Sequence, residues 1–146
     1  MTEIAVKKQR GDGQITGLAG EFFVAAELLK LGLQTSVTFG NAKAIDLFAF
    51  NPKSKRTFTI QVKALRDRNN YFLIDSTKVI AEHEYVFVIL NPPGTPVQYF
   101  ILSGNVLVNE ADRFGKGFRD PKIPGIHPRD LKEFENKWSG FLDGTE

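Results

Sequence analysis

The apolar residues of this chain recur first at the spacing of an α-helix and then at the spacing of β-strands. Over residues 16–31 they return every three or four positions, which predicts an amphipathic first helix. The stripe expected to face the core consists of Leu18, Phe22, Ala25, Ala26 and Leu29. At about 100° per residue, Glu21 falls beside this stripe, on the border of the expected buried face.

Three strand candidates follow the helix, at residues 34–39, 44–50 and 56–65. The third alternates, with Phe58, Ile60, Val62 and Ala64 on one side and Thr57, Thr59, Gln61 and Lys63 on the other. The polar link at 51–55 is typical of a turn, so the second and third strands are expected to form an antiparallel hairpin. In that hairpin Asp46 would lie nearly opposite Gln61.

The rest of the chain is expected to continue with short elements. They are a strand at 71–74, a brief helix from Ser76 or Thr77, a buried strand at 85–90, a strand at 97–102, mainly loops over 105–128 and a closing helix at 128–142. This order predicts an α/β fold with a mixed central sheet flanked by helices. We expect one domain spanning residues 1–146, with a flexible segment at 1–14.

Composition narrows the classes of protein and site that remain. The 146 residues include no cysteine, which excludes disulfides, thiolate zinc sites and thiol nucleophiles. No run approaches the roughly 18 apolar residues that cross a bilayer, and the N-terminus lacks the apolar stretch of a secretory signal. We therefore expect a cytoplasmic protein without a membrane partner. The net charge of +2 is too balanced to indicate a nucleic-acid partner on its own.

Four polar side chains are expected to meet beside the predicted hairpin. Asp46 interrupts an apolar strand, where an unpaired carboxylate would cost on the order of several kcal/mol. Gln61 and Lys63 emerge together on one face of the next strand, and Glu21 on the helix is within reach of the same point. Carboxylate and amide oxygens are hard ligands that suit Mg²⁺, and an adjacent lysine can orient or help deprotonate a bound water.

An ordered set of short motifs carries a resemblance to a known family. The motifs are Gly17-x-x-Gly20-Glu21, then Ile45-Asp46-Leu47, then Gln61-Val62-Lys63. Together they resemble the PD-(D/E)XK nuclease superfamily, nearest to its restriction-endonuclease-like and Holliday-junction-resolvase-like branches. The resemblance covers roughly residues 17–65, with looser agreement to residue 90. It implies a restriction-endonuclease-like core in the order αβββαβ.

The resemblance also implies roles for individual residues. The implied metal ligands are Glu21, Asp46, Gln61 and the main-chain carbonyl of Val62, with Lys63 as the catalytic lysine. The metal would be Mg²⁺, with Mn²⁺ as a substitute, and the activity would be endonucleolytic hydrolysis of DNA. Gln61 departs from the motif, because an acid is usual there, although the family includes members with glutamine. A neutral amide binds Mg²⁺ more weakly than a carboxylate, which puts activity in question.

Partners follow from the same interpretation. Basic and polar residues of the hairpin loop and of the bend after the third strand are expected to contact nucleic acid: Lys53, Lys55, Arg66, Arg68 and Asn69. One site in one chain cuts one strand, so cleavage of both strands would favour a homodimer.

Other interpretations of these residues stay open at this stage. Glu21 would also suit the positive end of a helix dipole, and Asp46 would also suit an ion pair at the sheet edge. A chain of the same fold could bind nucleic acid without cutting it, or serve as a protein-interaction domain. The two histidines, His83 and His127, lie in unrelated segments and are interpreted as structural or surface groups.

Overall fold

The protein is built around one five-stranded mixed sheet, seen in a computed structural model that describes residues 12–40, 42 and 44–143. Its elements are α1 (Asp12–Lys30), β1 (Gln34–Val37), β2 (Leu47–Asn51), β3 (Arg56–Leu65), β4 (Phe72–Leu73), β5 (Glu84–Ile89), β6 (Gln98–Ser103), α2 (Gly104–Asn109) and β7 (Gly125–Ile126). Short 3₁₀ helices lie at Ser76–Lys78, Ala111–Phe114, Lys116–Arg119, Pro128–Phe134 and Trp138–Phe141. Most of the expected flexible segment 1–14 lies outside the described residues, and residues 12–14 belong to α1.

Strand order in the central sheet is β1-β2-β3-β5-β6, and β3 pairs with β5 in parallel while the other neighbours are antiparallel. The predicted α/β class, with a mixed sheet and flanking helices, is confirmed. In the crossover from β3 to β5, however, the expected helix is only the 3₁₀ turn Ser76–Lys78. Strand β4 instead pairs with β7 to form a second, two-stranded sheet.

The central sheet separates two apolar cores. Strand β3, in the middle of this sheet, has the bounds that the sequence predicted. Phe58, Ile60 and Val62 are buried on the face that α1 covers. The opposite face of the sheet packs against a second core, which includes Tyr85 and Phe87 of β5 together with residues of the later loops and short helices. The alternation of β3 therefore sends Gln61 and Lys63 away from α1.

Helix α1 corrects the predicted buried stripe. Ala25 is buried, but Leu18, Phe22, Ala26 and Leu29 are exposed. The residues that face the sheet include Val24 and Leu28, which are fully buried. Both sides of this helix are apolar, so the helical period alone does not show which side faces the core. No helix in the described part of the chain has both the length and the apolar character needed to span a bilayer.

The expected closing helix over 128–142 is wrong. Two 3₁₀ helices occupy this segment, and between them Asn136 adopts a positive φ of 56°, which an α-helix does not accommodate. Leu131 and Phe141 are buried in this segment. Trp138 is half-buried and packs edge-on against Tyr99.

Gly20 sets how closely α1 approaches β3, because a Cβ atom at this position would lie 2.8 Å from the Cβ of Ala64. We expect Gly20→Ala to lower the free energy of unfolding by about 1–3 kcal/mol through overpacking. Gly17→Ala is the matched control, since its Cβ would meet nothing within 4 Å. It should raise stability by about 0.5–1 kcal/mol through helix propensity. Urea unfolding measures both, and equal gains in the two variants would contradict the close contact.

Candidate active site

Asp46 lies directly before β2, where the hairpin ladder stops. The last regular pair is Leu47 with Ile60, and the Asp46 N–H also donates to the Ile60 carbonyl oxygen, at 2.9 Å. A regular continuation would not make that bond, so the ladder is distorted at Asp46 and regular pairing stops one residue short of the expected Asp46–Gln61 pair. The predicted strand 44–50 begins only at Leu47, and Ala44, with a positive φ of 59°, lies outside the extended region.

The Asp46 carboxylate accepts a hydrogen bond from β3 where β2 no longer pairs with it. Its Oδ2 accepts a hydrogen bond from the Val62 N–H at 2.8 Å, on the side of β3 where β2 has ended. The N–H and C=O of one strand residue point to the same side, so the Val62 carbonyl faces the same gap. Two predicted metal ligands, the Asp46 carboxylate and the Val62 carbonyl, therefore lie together at the N-terminal end of β2.

Glu21 approaches this gap from α1. Burial of its carboxyl, together with the negative charge of Asp46, raises the pKa of Glu21 to about 7. Two carboxylates are thus close enough to repel one another, and the described residues form no ion pair with either of them. The close contact of Gly20 with β3 places the neighbouring Glu21 at this depth.

Gln61 and Lys63 line a cavity of about 410 Å³ on the other face of the sheet. The Gln61 Nε2 lies 3.0 Å from Nδ1 of His83 and donates to the Tyr85 hydroxyl at 3.1 Å. These two bonds use both hydrogens of the amide nitrogen, which leaves Oε1 as the free end of the side chain. Within the described chain, Oε1 accepts no hydrogen bond, so it is available as a ligand.

His83 and Tyr85 hold the Gln61 amide in this orientation. Burial lowers the pKa of His83, which favours the neutral ring whose Nδ1 can accept a hydrogen bond. The Tyr85 hydroxyl also accepts from the Ile80 N–H at 2.9 Å. The interpretation of His83 as structural matches its burial, but its contact with Gln61 was not predicted. The parallel pairing of Gln61 with Tyr85 brings it about, and that pairing has no local signal in the sequence.

The predicted site residues thus form two groups rather than one contact network. Glu21, Asp46 and the Val62 main chain lie at the end of β2, while Gln61 and Lys63 line the cavity. No hydrogen bond between side chains links the groups in the residues described, and these residues contain no cluster of three or more His, Cys, Asp or Glu side chains suited to a metal. Convergence of all four side chains on one ion stays a prediction.

The predicted nucleic-acid contacts lie at both ends of β3. Arg66, Arg68 and Asn69 are exposed just beyond Lys63. Lys53 and Lys55 are exposed in the hairpin loop at the opposite end. Two further polar residues that the sequence did not single out, Asp75 and Lys78, line the cavity beside Gln61 and Lys63.

The donor set suits a divalent ion such as Mg²⁺. Beside β2 it consists of two carboxylates that repel each other and a main-chain carbonyl, and the Gln61 amide oxygen on the other face of the sheet is a hard ligand of the same kind. Mg²⁺ keeps several waters and needs only one or two carboxylates, so the lack of a third acid does not exclude it.

Comparison of this chain with known proteins identifies its fold. No protein-family model matches the sequence, and no curated protein matches it. A bacterial homing endonuclease, I-Ssp6803I, is similar in structure, with a TM-score of 0.57 and 14% identity over 90% of this chain and 94% of that one. The Holliday junction resolvase Hjc of Archaeoglobus fulgidus aligns with a TM-score of 0.42 and 14% identity, over 77% of this chain and 95% of that one. The likeness to the homing endonuclease shows that this chain has the restriction-endonuclease-like fold that its motifs predicted.

Proposed function

We propose that this protein is a metal-dependent endonuclease that hydrolyses phosphodiester bonds of DNA. The observation that carries the proposal is the Glu21–Asp46 carboxylate pair beside the N-terminal end of β2, where neither carboxylate forms an ion pair with a described residue. Buried like charges are costly unless something compensates them, and a divalent ion does so. The fold supports the proposal, because a protein of the same fold is a homing endonuclease.

Four groups would hold the ion: the Glu21 and Asp46 carboxylates, the Val62 carbonyl and Oε1 of Gln61. Asp46 uses Oδ2 to accept the Val62 N–H, so its other oxygen is left for the metal. The amide of Gln61 is held through its nitrogen, which leaves its oxygen without a protein donor. When bound, Mg²⁺ or Mn²⁺ supplies Lewis acidity, which lowers the pKa of a water and offsets charge on the phosphate.

Lys63 provides the cation beside the reacting water. It lies two residues from Gln61 on the same face of β3 and lines the same cavity. From there its ammonium can orient the attacking water and contact a phosphate oxygen. Lys78 lines the cavity as well and adds positive charge where a phosphate would enter.

DNA would lie along β3. Arg66, Arg68 and Asn69 are near enough to Lys63 to contact phosphates that flank the cut. Lys55 is eight residues away along the strand, roughly 26 Å at the rise of an extended chain. That distance approaches one turn of the duplex, so Lys53 and Lys55 would contact phosphates remote from the cut.

A second candidate function is a module of the same fold that binds nucleic acid without cutting it. Gln61 favours this alternative, because a neutral amide stands where an acid is usual. Such a module would bind without added metal and would release nucleic acid as salt concentration rises.

We expect Lys63→Ala and Asp46→Asn to lower the rate of Mg²⁺-dependent nicking of supercoiled plasmid by on the order of 100-fold or more. Asp46→Asn keeps an acceptor for the Val62 N–H and removes only the charge, so it separates catalysis from folding. Lys132→Ala, an exposed lysine on the Pro128–Phe134 helix, is the control for lost positive charge.

Wild-type nicking should also stop in EDTA. Unchanged nicking in both variants would reject the assigned site. Plasmid binding without nicking under all metal conditions would support the binding module instead.

Glu21→Gln should stabilise the metal-free protein at neutral and alkaline pH. The folded-state pKa of Glu21 is about 7 and its ordinary value is 4.5, so the folded chain binds this proton more tightly than the unfolded chain. Wild-type stability therefore falls as pH rises from about 4.5 to 7 and stays lowered above 7. The advantage of Glu21→Gln should be absent near pH 4.5 and complete above pH 7.

Thermal unfolding in EDTA measures this advantage across pH. Glu27→Gln is the control on the same helix, because the Glu27 carboxylate pairs with Lys30 on the surface. Adding Mg²⁺ should then stabilise the wild type more than Glu21→Gln, since a ligand stabilises the state that binds it. A pH-independent difference between the two proteins would contradict the carboxylate pair.

A further inference from the structure

The outer face of α1 is an apolar surface without a partner in the described chain. Six large apolar side chains on or beside it are between 40% and 65% exposed: Ile15, Leu18, Phe22, Phe23, Leu29 and Phe39. Ile15, Leu18, Phe22, Ala26 and Leu29 follow one helical stripe, on the side opposite Val24 and Leu28. We call these seven residues, the six large ones and Ala26, the α1 outer face.

A helix that is apolar on both sides is expected to be buried on both sides. The inner side of α1 already packs on the sheet, with Val24 and Leu28 fully buried. The α1 outer face consists of apolar residues, with Lys30 at its C-terminal edge in an ion pair with Glu27, and contiguous apolar patches of this kind mark interaction surfaces.

Phe39 extends the surface beyond the helix. Its ring packs against Phe22, with centroids 6.0 Å apart, yet 65% of the residue is exposed. Its φ is 53°, a conformation that costs a bulky residue on the order of 1–3 kcal/mol. The chain thus keeps an unfavourable backbone conformation while presenting an aromatic ring to the outside.

We propose that the α1 outer face is the interface through which two copies of this chain associate. Exposed to about half, its six large side chains offer on the order of 600 Å² per copy, close to the roughly 800 Å² per partner of a standard stable interface. A surface without charge does not attract phosphates, and an interfacial membrane helix would carry basic residues along its polar face. A second copy presents the same uncharged surface, so the face complements itself across a two-fold axis.

The centre of the stripe fixes how the two copies meet. Phe22 lies midway between Ile15 and Leu29, so an antiparallel pair of α1 helices places Phe22 against Phe22 of the second copy. Glu21 is on the same helix, so pairing through α1 would also hold two candidate active sites at a fixed separation. This consequence rests on the proposed nuclease function, whereas the interface rests on the apolar surface alone.

Sedimentation equilibrium of the full chain tests the interface. We expect a wild-type dimer at micromolar concentration. Phe22→Glu should raise the dissociation constant by about thirtyfold or more, because each dimer contains the substitution twice. Val108→Glu, at an exposed apolar residue of α2, is the matched control and should leave the dimer unchanged. Circular dichroism checks that each variant is folded.

A charge-pair experiment keeps the test independent of folding. Phe22→Glu and Phe22→Lys should each be monomeric alone and should form a mixed dimer when combined. A wild-type monomer, or a dimer that Phe22→Glu leaves intact, would overturn the proposal. A monomer that sediments with anionic vesicles would overturn it in favour of a lipid surface.

Plasmid cleavage separates this inference from the proposed function. If both hold, the wild type converts supercoiled plasmid to the linear form, while Phe22→Glu yields mainly nicked circles. A dimer without cleavage would leave the interface standing and reject the nuclease. A monomer that nicks plasmid would reject the interface and leave the nuclease standing.

Discussion

The hydrogen bond from the Val62 N–H to the Asp46 carboxylate is the interaction on which the candidate site depends. Strand β2 begins at Leu47, so its pairing with β3 stops one residue short of Gln61. The Asp46 side chain then accepts the Val62 N–H in place of a main-chain carbonyl of β2. The same bond aims the Asp46 carboxylate at the gap that the Val62 carbonyl also faces. Because α1 packs closely on β3 through Gly20, it brings a second carboxylate, Glu21, to the same place.

Local patterns in the sequence were sufficient to predict β3 and the mixed α/β class, and the resemblance of the motifs to a known family added the restriction-endonuclease-like fold. Alternation is a property of neighbouring residues, so the bounds of β3 and the shared face of Gln61 and Lys63 could be predicted from it. The distortion of the ladder at Asp46 could not be, because a local irregularity in strand pairing leaves no periodic signal. Contacts from His83 and Tyr85 depend on the parallel pairing of distant strands. The buried side of α1 was misjudged since both of its sides are apolar.

An amide at position 61 adds no negative charge to a candidate site that already contains two carboxylates. Glu21 already has its pKa raised by burial and by Asp46, so a third carboxylate would add further repulsion to the metal-free fold. Glutamine avoids that cost and uses both hydrogens of its nitrogen to bond His83 and Tyr85. A glutamate could not donate those bonds. Gln61 is thus a weaker metal ligand than an acid, but its orientation is fixed before any metal binds.

Helix α1 links the three features that bear on function. Its inner side packs on β3, Glu21 lies on the border of that side, and its outer side is the proposed interface. Association through the outer side would restrain the same helix that places Glu21 beside Asp46. Any process that stabilises one position of α1 favours every other process that needs that position, so dimer formation and metal binding should strengthen each other. This coupling requires no change in the sheet, because β2 and β3 already hold Asp46 and Gln61 in place.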